Sequence, residues 1–353
     1  MSRALKLVGA VFFSFLLFSA VLFKAGWQNF ILSLSLFFSA TGVVLAILTF
    51  FSLYFGVLRW RRVVGFYDSS SSDKKSASVY LAGFLLNYFT PFLPFSAEFF
   101  KTYILQKKFD ISAGKSIAMS AVDKILETTV FFIFLIAGLV AFAFWGKIHY
   151  ILSAGVLLIA AGFLFLLLLF YFQRFRRQSV FKLFFRLLGP WQSRILKRQD
   201  EQTILLAEKI VFDFFSWKNK TFWLGFLFSF FRYACLFLRA FVLLFFLTGQ
   251  WAFFRGLAVL GFAHLAMMSP FPAALGILEL SEGLAFSGLG FDFNSGAVFG
   301  LAWRAFDLLA CLACVFFVAK LFFDVLSQRI VKLGFSHFSK NCHSEAEPKN
   351  LLH

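Results

Sequence analysis

Residues 87–101, NYFTPFLPFSAEFFK, set Pro91, Pro94, Glu98 and Lys101 into an otherwise apolar stretch. Proline lacks the N–H that continues a helix and its ring clashes with the preceding turn, while a carboxylate is costly in hydrocarbon. Residues 269–283, SPFPAALGILELSEG, repeat the device: Pro272 precedes Glu279 by the spacing that separates Pro91 from Glu98. One offset of 181 residues carries Pro91 onto Pro272, Glu98 onto Glu279 and Asp123 onto Arg304. The pattern predicts an internal repeat built around broken membrane helices, the arrangement transporters use to hold polar cargo near the bilayer midplane.

Composition fixes the solvent. The chain is 61% hydrophobic and 14% charged, with 59 phenylalanines, and its mean hydropathy is +0.83, outside the range of soluble domains. Phe30 to Leu58 contains no charged residue, roughly 43 Å of helix at about 1.5 Å per residue, enough to cross a bilayer with tilt. Leu7–Phe23, Val79–Ala97, Thr128–Gly146 and Tyr150–Gln173 are also uncharged. Residues 1–334 are therefore expected to form one integral membrane domain.

The formal net charge of +17 suggests nucleic acid until its distribution is considered. Basic residues gather after the second apolar run (Arg59, Arg61, Arg62, Lys74, Lys75) and across 173–220, from Arg174 to Lys197 and Arg198. The linkers near Lys24, Lys147 and Arg255 carry few. That asymmetry places the two basic loops, and both termini, in the cytoplasm. The same clusters attract anionic lipid headgroups, and no nucleic-acid partner is expected.

Cysteine and histidine add little. Cys311-Leu-Ala-Cys314 has a redox spacing but no accompanying ligand pair, so its thiols read as small buried residues. His264 reads as a hydrogen-bonded packing residue. No phosphate loop, nucleophile triad, metal site or cofactor site is present in the pattern. Leu7–Phe23 follows Arg3 and Lys6 without a convincing cleavage site and is read as a retained first helix. Residues 335–353 are polar and unpatterned, and read as a disordered tail.

Topology constrains the rest. With the N-terminus inside, full spans are expected at about 7–23, 30–58, 116–145, 150–172, 221–247 and 294–324. Parity then requires Val79–Lys108 to begin and end inside, and Phe253–Gly283 to begin and end outside. Each is expected to be a re-entrant element, broken at Pro91 and Pro94 or at Pro270 and Pro272, with Gly276 in the second break. Such backbone is tolerated at that depth only where protein or water satisfies its amides. Units 30–145 and 221–325 thus enter from opposite faces as an inverted-topology repeat, and the inversion is expected to bring Glu98 and Glu279 into one cavity near the middle of the membrane.

The intramembrane charges define the candidate site. Glu98 and Lys101 follow the first break, and Asp123, Lys124 and Glu127 open the next span. Asp123 and Glu127 share one helical face, and Lys124 is placed to pair with a carboxylate from the neighbouring element. Glu279 and Glu282 follow the second break, and Arg304 and Asp307 lie one turn apart. Each charged group contains its own potential partner, so helix clamping and cargo binding both remain open. Arg232 has no acid within its own helix turn and needs a partner from elsewhere or an anionic ligand. Asn87 is available to freed carbonyls or to cargo; Lys101 and Arg239 are candidates for snorkelling to an interface.

Together these motifs resemble the flippase-like membrane region of bacterial lysylphosphatidylglycerol synthases. Asn87-x3-Pro91-x6-Glu98-x2-Lys101 is similar to that family's Asn…Pro…Gly-Glu…Arg stretch, and Asp123-Lys124-x2-Glu127 to its Glu-Arg-x-x-Asp helix start. Ser269 to Glu279 resembles its Pro-Gly-Gly-x-Gly-x-x-Glu segment, with Arg304 at the usual distance beyond. Ala97, Ala273 and Ala274 stand where the family tends to have glycine, and lysine replaces arginine at 101 and 124, which changes the grip on phosphate or carboxylate. The resemblance covers about 10–330. It implies transbilayer movement of a lipid or lipid-linked headgroup, anionic or headgroup-modified, in the bacterial cytoplasmic membrane. It does not imply aminoacyl transfer, which belongs to a soluble domain that these residues do not include.

The expectation is an all-α polytopic protein with six spans and two re-entrant elements, a flippase-like transporter and not an enzyme. Its expected partners are membrane lipids, with a homo-oligomer or a lipid synthase as possible protein partners. The alternatives are a membrane-embedded enzyme acting on a lipid headgroup and a non-transporting partner of a synthase.

Overall fold

Ser39 begins the first long helix: its hydroxyl accepts from Gly42 N at 3.1 Å, satisfying one of the amides that a helix start leaves free. This helix, α1 (Ala40–Tyr67), follows a 3-10 turn at Leu36–Phe38. In chain order come α2 (Asp73–Phe89), α3 (Ser96–Phe109), α4 (Ala113–Trp145), α5 (Tyr150–Phe175) and α6 (Arg198–Phe214). Then follow α7 (Lys220–Thr248), α8 (Phe253–Met267), α9 (Ile277–Gly288) and α10 (Phe293–Ser344). The computed structural model describes residues 35–68, 73–89, 96–147, 150–175, 198–216, 218–269 and 274–344, together with Ser19 and Ile31. The expected first span and Pro91, Pro94, Pro270 and Pro272 lie outside the described residues.

Among the described residues the protein is all-helical, and four helices are long and apolar enough to cross a membrane: α1, α4, α7 and the Phe293–Lys320 portion of α10. Shorter apolar stretches lie in α5 (Ser153–Leu169) and α8. Phe38, Leu158 and Phe165 point outward, 95%, 75% and 64% exposed, as expected where lipid rather than water is the solvent. Trp145 stacks on Phe254 at 4.0 Å and Phe245 on Trp251 at 3.8 Å, near the ends of α4 and α7 where aromatic belts form.

Two helix pairs stand where the sequence sets its prolines. α2 and α3 pack on each other across 90–95, and α8 and α9 across 268–276. Ala274 and Gly276 take positive φ in the second break, 49° and 78°, and Gly276 suits that conformation because it has no Cβ.

Three sequence expectations need correction. α1 does not end near Leu58 but continues to Tyr67, carrying Arg59, Arg61 and Arg62 inside the helix; arginine is a good helix former, and Arg59 meets buried carboxylates there. The basic segment 173–220 is not all loop: α6 docks on α4, with Ala207, Val211 and Phe214 buried one helical turn apart. The segment from Ser336, expected to lack structure, is helical as far as Ser344.

Packing is reciprocal between the halves. α1 packs on α7, α4 on α8, and α10 on α2; α3 lies on α4 as α9 lies on α10. The α1–α7 contacts run in opposite senses, Thr49 meeting Arg239 and Arg59 meeting Ser229. α4 and α8 approach closely at paired glycines: a Cβ on Gly138 would come within 2.6 Å of Gly261 Cα. Small residues allow this approach in membranes, where apolar burial alone gives no drive for helix association.

Candidate functional site

Arg59 anchors the first charge cluster. Its Nε lies 2.6 Å from Asp123 Oδ1 and its Nη2 3.2 Å from Glu127 Oε2, while Nη1 donates to Ser229 Oγ at 3.4 Å. The planar fork thereby bridges two carboxylates one turn apart on α4 and a hydroxyl on α7. Lys101 Nζ holds the other Asp123 oxygen at 2.8 Å. Arg232 reaches the other Glu127 oxygen at 2.7 Å and also donates to the Tyr80 hydroxyl. Lys124 stands farther from Glu98, at 3.6 Å.

The second cluster has the same plan. Arg239 Nη1 lies 2.7 Å from Asp307 Oδ1 and 3.1 Å from Thr49 Oγ1, with its guanidinium 3.6 Å over the Trp303 ring. Arg304 grips Glu279 with two contacts of 2.9 Å, and Gly276 N donates to the same carboxylate at 3.0 Å. Arg59, Thr49, Glu127 and Lys124 each lie 180 residues before Arg239, Ser229, Asp307 and Arg304. The Arg59–Glu127, Arg59–Ser229 and Lys124–Glu98 contacts have counterparts in Arg239–Asp307, Arg239–Thr49 and Arg304–Glu279. The register of the long helices is therefore one residue shorter than that of the glutamates, and Lys124, not Asp123, corresponds to Arg304.

Between the clusters lies a cavity of ≈ 400 Å³, framed by α1, α2, α3, α4, α7, α8 and α10. Glu98, Lys101, Lys124, Glu127, Arg232 and Asp307 line it, with Asn87 and Tyr88 from the end of α2. Glu98 Oε2, Tyr88 Oη and Arg232 Nε are buried without a hydrogen-bond partner among the described residues. Glu98 offers an acceptor there and Arg232 a charged donor, so the cavity is equipped for a polar group of mixed character. The charged side chains that line the cavity balance, with Lys101, Lys124 and Arg232 against Glu98, Glu127 and Asp307.

The site differs from the sequence expectation in several respects. Arg304 and Asp307 do not pair with each other; each binds an acid or base from another helix. Lys101 and Arg239 do not snorkel, being 3% and 1% exposed and ion-paired. Glu279 does not share the cavity with Glu98: it is fully buried and both its oxygens are engaged. The Ala274 carbonyl also accepts from Arg304 at 2.9 Å, so Arg304 ties the second break to α9. Arg232 finds its acid across the interface in Glu127. His264 packs as expected, its ring 4.7 Å from Phe131 and its Nδ1 2.6 Å from Leu260 O. Arg59 is the residue that sequence reasoning missed; a basic residue at the edge of an apolar run looks like a loop signal, and only the acids on α4 reveal otherwise.

Such a bundle, with a charged cavity enclosed by apolar helices, defines a polytopic helical membrane protein. Residues 5–314 match the family described as the lysylphosphatidylglycerol synthase TM region. The chain belongs to this family, whose membership connects it with the handling of lipid headgroups. Comparison with curated proteins and with solved structures gives no match.

Proposed function

We propose that this protein moves a lipid or lipid-linked headgroup across the bacterial cytoplasmic membrane, with the charged cavity as the headgroup site. The observation that carries the proposal is that cavity: ≈ 400 Å³ of space lined by acids and bases from both halves. A headgroup inside it meets Arg232, Lys124 and Glu98 while the acyl chains stay among lipid-facing apolar side chains. The proposal assigns no enzymatic step to the chain; transport is facilitated or coupled to an ion or proton gradient, with Glu98, the cavity acid whose Oε2 lacks a hydrogen-bond partner among the described residues, as the coupling group.

The architecture we propose is six spans with α2–α3 and α8–α9 as re-entrant elements. It is supported by the correspondence of α1 with α7. These helices run in opposite senses, so a two-fold relation exchanging them has its axis across the helices, in the membrane plane, as in inverted-topology repeats. The distribution of basic segments supports a cytoplasmic location for both termini in this architecture.

The test is purified protein in liposomes with a panel of headgroup-labelled phospholipids. Translocation of an unchanged lipid supports transport. A chemically modified lipid supports a membrane-embedded enzyme instead, and a panel in which no lipid is translocated overturns the proposal.

A further inference from the structure

A second space, of ≈ 430 Å³, lies behind the charged cavity along the seam between α2 and α10. Its walls include Phe37, Leu85, Phe89, Leu308, Leu309 and Leu312. Phe89, Leu308 and Leu312 are among the outward-facing apolar residues of the bundle, 50%, 42% and 70% exposed. The two spaces back onto each other through consecutive residues. Tyr88 and Asp307 line the charged cavity, and their neighbours Phe89 and Leu308 line the apolar groove.

We propose that this groove seats one acyl chain of the phospholipid whose headgroup occupies the charged cavity, and that the α2–α10 seam is its lateral passage. The inference rests on the lipid-transport reading above. Among the described residues the groove offers a polar occupant no charged side chain, and a polar group there forfeits its hydration without compensation. An apolar chain moving there from lipid gives up no hydration. A single molecule with both characters satisfies both spaces, since Arg232 Nε is buried at the cavity without a hydrogen-bond partner among the described residues and offers a charged donor to a lipid phosphate. Tyr88 stands at the passage with a buried hydroxyl that lacks a partner among the described residues, and a phosphate or glycerol oxygen crossing the seam supplies one.

The test uses two photoreactive phosphatidylglycerols with the full chain in vesicles, one carrying a diazirine in the headgroup and the other in the acyl chain. The acyl probe is expected to label the 305–315 segment of α10 above the level of Leu158 and Phe165 on α5, which report ordinary lipid contact. Arg232→Gln should lower groove labelling about tenfold, the change that matches about 1.4 kcal/mol of lost headgroup binding, and leave α5 labelling unchanged. Lys124→Gln, at a 30% exposed side chain, serves the same purpose if the Arg232 variant does not fold. Leu312→Trp fills the groove without touching the charges, and should remove acyl labelling there while headgroup labelling of the cavity persists. Groove labelling equal to that of α5, and indifferent to the cavity variants, overturns the inference. Failure of the headgroup probe to label the cavity overturns the transport reading beneath it, so the two failures are distinct.

Discussion

Arg59 Nε lies 2.6 Å from Asp123 Oδ1, with the two side chains 0% and 1% exposed. Both charges are sealed between α1 and α4, where each depends on the other for what water would otherwise supply. Through Asp123 the pair reaches Lys101 on α3, and through Glu127 it reaches Arg232 on α7. One guanidinium thus ties four helices around the cavity.

Removing that guanidinium leaves Asp123 and Glu127 each with one base. Arg59→Gln is therefore expected to destabilise the protein by about 3–5 kcal/mol, the usual cost of breaking a buried pair. Arg59→Lys should recover only part of this loss, because an ammonium cannot reproduce the fork. Thermal unfolding in detergent measures both; an Arg59→Gln protein as stable as the parent contradicts a structural role for the cluster.

Glu98 and Glu279, related by sequence, should behave differently. Glu98 faces the cavity with one oxygen unpartnered among the described residues, whereas Glu279 is clamped by Arg304 and Gly276. Glu98→Gln should abolish transport per folded molecule with little change in melting temperature. Glu279→Gln should reduce folded protein and activity together. Equal loss of stability in both variants would sink this division of labour.

Topology gives a third expectation. In a background lacking Cys235, Cys311, Cys314 and Cys342, Ala77→Cys on α2 and Lys107→Cys on α3 should both react only with thiol reagents applied from the cytoplasmic side. Labelling from opposite sides means that α2 and α3 complete a crossing, and the inverted repeat then fails.

Glu282 supplies a fourth. It is fully buried on α9, and neither carboxylate oxygen has a hydrogen-bond partner among the described residues. Glu282→Met keeps the volume and removes the unsatisfied group, so it should raise stability by about 1–3 kcal/mol. A lower melting temperature for this variant shows that the carboxyl has a stabilising partner.

How much of this was legible beforehand differs from residue to residue. Glu98, Lys101, Asp123, Lys124 and Glu127 stand out because charge in an apolar chain is conspicuous, and the structure gathers them about one cavity wall. Their partners were not legible. Spacing along one helix made Arg304 and Asp307 look like a pair, yet the guanidinium turns to Glu279 and the carboxylate to Arg239. Arg59 was hidden because its neighbours Arg61 and Arg62 gave it the look of a cytoplasmic loop.

The sequence alone determined that the chain lives in a membrane, where its helices break and which polar groups had to be accounted for. These follow from local physics: hydropathy, the missing amide of proline and the cost of charge in hydrocarbon are properties of each residue and its near neighbours. Only the tertiary structure decided which acid meets which base, and that Glu98 faces space while Glu279 does not. Electrostatic pairing acts across contacts between residues such as Arg59 and Glu127, 68 positions apart, and an ion pair weakens steeply with distances that chain spacing does not specify.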